Sequence, residues 1–252
     1  MLNVDQAQCR RCGRCVSACT MGLFRQEESG EITVEQKPCL NCYHCAAACP
    51  VGAVVEDCGR NPCAAPAEEN SLLSKFQRRR SIRRFRDDTP DPALIQAALD
   101  GAAWAPSAKN QRLYGWTVVL GKEKVEKLYR RSLVWAKSQP DYRYLVWLDR
   151  HGRNPVTCNA PALIFIHSPS ESHYPETDCA IAMTLAEQLL VDSGLGTCWA
   201  GYMCRMVNQS KELRADLGLP EDRQVYGVLM TGIPNETYPG IPARPASEIT
   251  WV

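Results

Sequence analysis

Eight cysteines within the first fifty residues are the side chains best placed to do chemistry. They form two copies of one pattern: Cys9, Cys12, Cys15 and Cys19, then Cys39, Cys42, Cys45 and Cys49, each thirty positions after its counterpart. A C-x-x-C-x-x-C-x-x-x-C run is the bacterial spacing for iron-sulfur ligation, in which three thiolates hold one cube and the fourth reaches to a second. Loops of two residues turn three sulfurs toward three corners of a cubane, but the fourth corner faces away and needs a ligand from elsewhere. Crossed ligation answers that need: Cys9, Cys12, Cys15 and Cys49 take one 4Fe-4S cluster, and Cys39, Cys42, Cys45 and Cys19 take the other. Zinc or disulfides are the competing chemistry. Structural zinc takes two C-x-x-C pairs across a spacer and has no use for a third and fourth cysteine in each group. Disulfides need an oxidising compartment, and Met1 to Gln8 shows no basic and apolar leader.

Residues 1–57 resemble the two-cluster ferredoxins in this motif, with Pro50 after the last cysteine of the second copy and Thr20, a departure, after that of the first. Arg14 and His44 lie between ligands, where charge tunes cluster potential; as loop residues they also suit plain solvation.

A second concentration of chemistry lies at Arg78, Arg79 and Arg80 before Ser81, with Arg83 and Arg84 after it. Guanidinium forks bind phosphate oxygens in pairs and a serine hydroxyl adds a short hydrogen bond. A solvated basic helix end is the alternative reading of such a run. Three other segments bear on the choice: "APSAKNQ" at Ala105 to Gln111, "GLGTCWAGY" at Gly194 to Tyr202 and "ARPASEITWV" at the C-terminal end. Together with "RRSIRRF" at Arg79 to Phe85 they occur in the order seen in the FMN-binding nitroreductase family, and the resemblance covers about residues 71–252.

That resemblance implies a central sheet wrapped by helices, a homodimer, and FMN in each of two interface clefts. It implies that Arg79, Arg80, Ser81 and Arg83 hold the ribityl phosphate and the polar edge of the flavin, with Arg244 as the C-terminal phosphate ligand. Pro106, Ser107 and Asn110 would approach the isoalloxazine from the partner subunit, and Cys198, Trp199, Ala200 and Gly201 would line its other side through backbone groups. The chain departs from many relatives at Arg112 and Leu113, where a proline and an aromatic are common, and at Ala200, which some members replace with glutamate; both positions bear on substrate choice.

Positioning these groups requires two domains, and 252 residues suffice for one small module and one substantial core. The expected organisation is a two-cluster ferredoxin domain at 1–57, a linker at 58–70 holding Cys58 and Cys63, and a nitroreductase-like domain at 71–252. Patterning predicts helices over Ser71–Arg80, Ala93–Trp104 and Asp178–Asp192, and buried strands over Gly115–Leu120, Ala162–His167 and Val225–Thr231. The fold class is α+β. The glycines of "GLGTCWAG" read as turn glycines after a helix rather than as a dinucleotide-binding loop, and Trp104, Trp116 and Trp199 read as core residues.

A formal charge of +1 gives no reason to expect nucleic acid or an anionic membrane. The longest apolar stretch, near Ala160 to Ile166, is too short to span a bilayer, so a cytoplasmic protein is expected. Clusters move one electron at a time and FMN exchanges one for two, so the expected function is an oxidoreductase. Its clusters feed FMN, which reduces a small organic acceptor such as a nitroaromatic, quinone or activated alkene, without a catalytic side chain. Reduced ferredoxin or NAD(P)H is the expected external donor. Two alternatives stand beside this: NAD(P)H or a reduced substrate charges FMN and the clusters export electrons to a partner, or the chain senses redox state without turnover.

Overall fold

The computed structural model describes residues 2–65, 67–69 and 71–252. Met1, and Pro66 and Asn70 of the expected linker, lie outside the described residues. The chain forms two compact units, one of Met1–Arg78 with Thr237–Val252 and one of Arg79–Glu236.

The first unit opens with β1 (Leu2–Val4), α1 (Arg14–Ala18), β2 (Phe24–Gln26), β3 (Ile32–Val34), α2 (His44–Ala48) and β4 (Val54–Glu56). β1 pairs antiparallel with β4, and β2 with β3. Helices of five residues do not persist alone. Here they are held because Cys15, Cys45 and Ala46 bury against Leu2, Val4, Leu23, Phe24, Ile32 and Val54. The sequence duplication is also a backbone duplication: Arg11 and Asn41 are left-handed at φ 54 and 50, and Gly13 and Tyr43 at φ 69 and 56. Thr20 sits before Gly22 (φ 64) as Pro50 sits before Gly52 (φ 68), so the turn keeps its form without the proline. β5 (Cys63–Ala64) and α3 (Leu72–Arg78) follow, and the Ser71 hydroxyl caps α3 by accepting from Ser74 N at 3.1 Å. Leu72, Leu73 and Phe76 on that helix are exposed.

The second unit contains α4 (Pro92–Gly101), β6 (Gly115–Leu120), α5 (Lys122–Lys137), α6 (Arg143–Arg150) and β7 (Ala162–Pro169). After these come α7 (Pro175–Asp192), β8 (Gly196–Trp199), α8 (Gly201–Gln209), α9 (Lys211–Asp216) and β9 (Arg223–Gly232). α4 starts where Asp91 Oδ1 accepts from Ala93 N at 2.8 Å and Pro92 fills the first turn. The sheet order is β6-β7-β9-β8, antiparallel throughout. β7 is central and covered on both faces. Alternation sends Leu163 and Phe165 into a core with α5, α6 and α8, and Ala162, Ile164 and Ile166 into a core with α4 and α7.

After Glu236 the chain returns to the first unit, where β10 (Ile241–Pro242) pairs antiparallel with β5. The compact units therefore divide elsewhere than at the expected boundaries of 57, 70 and 252. Part of the expected linker is a strand, because a partner from the far end of the chain satisfies its backbone. In the "GLGTCWAG" segment Gly194 is the turn glycine expected after α7, at φ 87, whereas Gly196 opens β8 and Gly201 opens α8, so the rest of the segment leads from an antiparallel strand into a helix. Trp116 packs against the α4/α7 core. Trp104 is 86 % exposed and Trp199 42 % exposed, so neither is the core residue expected.

Candidate functional site

Each copy of the cysteine motif is a loop followed by a short helix. The loop carries its first two cysteines partly or fully exposed, and the helix then buries its own cysteine and leaves the last one at its C-terminal end. Cys9, Cys12 and Cys15 meet Cys49 around one cavity, walled by Val4, Ile32 and Val54. Cys39, Cys42 and Cys45 meet Cys19 around another, walled by Leu2, Leu23 and Phe24.

Backbone amides point at four of these sulfurs: Arg11 N to Cys9 Sγ at 3.4 Å, Asn41 N to Cys39 at 3.3 Å, Leu23 N to Cys19 at 3.3 Å and Ala53 N to Cys49 at 3.2 Å. Amide donors of this kind favour the thiolate, the form that binds metal. Four sulfurs spaced around each apolar cavity suit a cage. Burial pushes the Cys15 thiol up to about 11 and the Cys45 thiol up to about 12, so loading iron there displaces protons.

In the second unit, Ser81 forms a parallel bridge with Thr197 and Ile82 N donates to Thr197 O at 2.8 Å. This pairing joins the arginine segment to β8 and brings Arg79, Arg80, Ser81 and Arg83 alongside Cys198, Trp199, Ala200 and Gly201. Arg80 is buried. Arg83 is fixed at both ends, its backbone N donating to Glu236 Oε1 at 2.9 Å and its Nη1 to Ser81 O at 3.2 Å. Cys198 is buried too; burial pushes its thiol up, while the Arg83 charge and the Ser81 hydroxyl pull it down.

Glu187 on α7, which the motif reading missed, ties the two segments together. It is buried and accepts three hydrogen bonds: Arg79 Nη1 at 3.3 Å and Thr197 Oγ1 at 2.9 Å on Oε1, and Trp199 Nε1 at 3.2 Å on Oε2. The signal was present, since Glu187 is the carboxylate interrupting an otherwise apolar run of α7 that includes Met183, Ala186 and Leu190.

Pro106, Ser107 and Asn110 lie on a loop that is tied to α7 and β9. Lys109, Asn110 and Arg112 are all left-handed, at φ 51, 55 and 47, and three such non-glycine residues persist only where the surroundings hold them. Ala108 N donates to both oxygens of Asp178 at 3.0 and 3.2 Å, Arg112 N to Ser107 Oγ at 3.0 Å, and Arg223 Nη1 to Leu113 O at 3.1 Å. Arg223 also reaches His167 Nδ1 at 3.3 Å. Burial, with the Arg223 and Arg214 charges, holds that imidazole below its usual range. Arg244, expected at a flavin phosphate, belongs to the first unit, where it lines a cavity with Tyr43 and Arg60.

Residues 8–53 match the 4Fe-4S dicluster domain and residues 76–233 match the nitroreductase family. A protein of Archaeoglobus fulgidus, named provisionally as an NADH dehydrogenase/NAD(P)H nitroreductase, is 28% identical over 171 residues, covering 65% of this chain and 86% of the relative. A crystal structure of a nitroreductase with bound FMN from Desulfitobacterium hafniense superposes with a TM-score of 0.61 at 25% identity, covering 73% of this chain and 100% of that one. An FMN-bound nitroreductase of Bacteroides fragilis shares the fold at a TM-score of 0.58 and 24% identity, over 73% of this chain and 99% of its own. With most of the second unit inside the matched residues, the chain belongs to the nitroreductase family.

Proposed function

We propose that the protein is a cytoplasmic, homodimeric FMN-dependent iron-sulfur oxidoreductase that takes electrons from a low-potential donor such as reduced ferredoxin and delivers them to a small organic acceptor, a nitroaromatic, quinone or activated alkene. When bound, two 4Fe-4S clusters carry single electrons and FMN supplies the exchange between one- and two-electron transfer. The observation carrying this reading is the sorting of eight cysteines around two apolar cavities in a chain that also contains a nitroreductase unit. The donor sets fit both groups. Cys9, Cys12, Cys15 and Cys49 would hold one cluster and Cys39, Cys42, Cys45 and Cys19 the other, with Val4, Ile32, Leu23 and Phe24 among the residues lining the two cavities.

Arg79, Arg80, Ser81 and Arg83 would hold the flavin phosphate and polar edge, the backbone of Cys198–Gly201 would line the flavin, and the partner subunit's Pro106, Ser107 and Asn110 would approach it from the other side. Glu187 aligns the first two segments. Its carboxylate accepts from Arg79, Thr197 and Trp199 and acts as a positioning residue.

Anaerobic purification with iron, sulfide and flavin quantified, followed by titration with reduced ferredoxin, tests the proposal. Both chromophores should bleach. Zinc in place of iron, or a flavin that stays oxidised while the clusters are reduced, would overturn it. A second reading is favoured by the Archaeoglobus relative, whose name couples NADH dehydrogenase with NAD(P)H nitroreductase: here NAD(P)H reduces the flavin and the clusters export electrons. Rapid flavin bleaching by NADH alone selects that direction.

A further inference from the structure

Two side chains outside the sequence motifs, His167 and Arg223, meet where the loop that carries Pro106, Ser107 and Asn110 enters the sheet. That loop ends at Gly115, the first residue of β6. An added Cβ there would stand 2.9 Å from His167 Cε1 and 3.1 Å from Arg223 Nη1, so a residue without a side chain lets β6 start against this pair. The register of β7 on β9 skips Tyr226: Ile166 opposes Gly227 and His167 opposes Val225. Bulges of this kind re-aim side chains. His167 is buried and touches Thr117 on β6 and Arg223 on β9.

The partners assign the ring's hydrogen. A guanidinium can only donate, so His167 Nδ1, 3.3 Å from Arg223 Nη1, is the accepting nitrogen. Nε2 then carries the hydrogen and gives it to Thr117 Oγ1 at 3.2 Å. The same Arg223 Nη1 donates to Leu113 O at 3.1 Å and to His167 O at 3.4 Å, so one side chain spans the ring and the end of the loop. A second proton on the ring would sit on Nδ1 and turn the acceptor into a donor facing a cation. The charges acting on the ring are Arg223 and, from α9, Arg214, which donates to Pro220 O at 2.9 Å, and both oppose that proton. On α7, Glu176 and Asp178 act on Cys179, and Asp178 also accepts from Ala108 N. A second imidazole meets the loop where Lys109 Nζ lies 2.6 Å from His173 Nε2; both residues are exposed, so water takes over when that bond is lost.

We propose that His167 is a positioning residue that holds the loop of Pro106, Ser107 and Asn110 through Arg223, and that acid releases the loop by converting His167 Nδ1 from acceptor to donor. Burial and the two arginine charges keep the imidazole below its ordinary range. The latch is therefore closed above about pH 6.5 and opens as pH falls through the folded value. Its consequence for flavin rests on the proposed function, in which this loop approaches the isoalloxazine; the latch itself does not.

Hydrogen exchange of the anaerobic holoenzyme, read by mass spectrometry over residues 105–114 and corrected for intrinsic exchange, tests this from about pH 7.5 to about pH 5. In the parent, protection should fall about tenfold on acidification, as expected for loss of one charge-assisted hydrogen bond. His167→Asn keeps an accepting oxygen near the place of Nδ1 but cannot titrate, so its protection should stay high and flat. Arg223→Met removes the shared donor, and its protection should be low and flat. Flavin release, timed by fluorescence after dilution, should quicken along the parent's acid limb and lose that dependence in His167→Asn. Parent protection that ignores pH, an acid limb unchanged in His167→Asn, or His167→Asn protection that is low at every pH would overturn the proposal. A protein that loads no flavin yet shows the acid limb, abolished in His167→Asn, would support the latch and overturn the flavin reading alone.

Discussion

Replacing Glu187 with alanine should destabilise the protein by about 2–4 kcal/mol, the sum of unequal parts. Thr197 is fully buried and gives its hydroxyl hydrogen to Glu187, so an orphaned donor there costs about 1–3 kcal/mol. The Arg79 side chain is 30 % exposed; its charge-assisted bond, discounted because water replaces part of it, adds about 1 kcal/mol. Trp199 is exposed enough for its indole N–H to find water, and contributes little. At about 2–4 °C per kcal/mol for a domain of this size, the melting midpoint followed by scanning fluorimetry should fall by roughly 4–16 °C. Glu187→Gln should fall about half as far, because the amide oxygen still accepts from Thr197 while the amide nitrogen meets the Trp199 donor. Combining Glu187→Ala with Thr197→Val should cost less than the two single changes together, since both remove the same bond. Strict additivity, or a Glu187→Ala midpoint within about 1 °C of the parent, would refute the reasoning.

Three further outcomes are expected. Cys49→Ser should halve the iron content, from about eight to about four atoms per chain, with the loss confined to the cluster of Cys9, Cys12 and Cys15; iron analysis with electron paramagnetic resonance reads this. Because His167 is held below its usual range in the folded protein, the unfolded chain takes up the proton first, so its stability contribution is complete above about pH 6.5 and is lost as pH falls through the folded value. His167→Gln should flatten that acid limb in melts recorded from pH 7 downward. Asp178→Ala removes the acceptor of Ala108 N, and amide exchange at Ala108 should speed by about tenfold, the equivalent of a hydrogen bond worth roughly 1.4 kcal/mol.

Much of this site was legible because its information is local. The cysteine spacing and its thirty-residue repeat survive reading without a structure, as do the arginine run and the buried strand expected over Ala162–His167 and observed over Ala162–Pro169. What escaped depends on distant partners. A two-residue strand at Cys63–Ala64 has no pattern of its own, and its existence is decided by Ile241–Pro242. β8 begins at a glycine, which reads as a turn, yet pairing with Met230 and Leu229 of β9 makes Cys198 and Trp199 a strand. Glu187 was overlooked because a carboxylate reveals its role only when its three donors, from two other segments, are known. The exposure of Trp104 shows the same limit: aromatic character favours burial, but whether a surface covers it is not written in the neighbouring residues.

The pairing of β5 with β10 also governs the order of events during synthesis. The ribosome makes Cys63 and Ala64 early, but their strand partner Ile241–Pro242 is made only after the whole of the second unit. At typical elongation rates the gap is on the order of ten seconds or more. During that interval the second unit, an insertion of contiguous sequence within the first, has all its own strands and can collapse, while the cysteine-rich unit waits with one edge unsatisfied. The sheet edge of the metal-binding half is thus completed only after the second unit has been made.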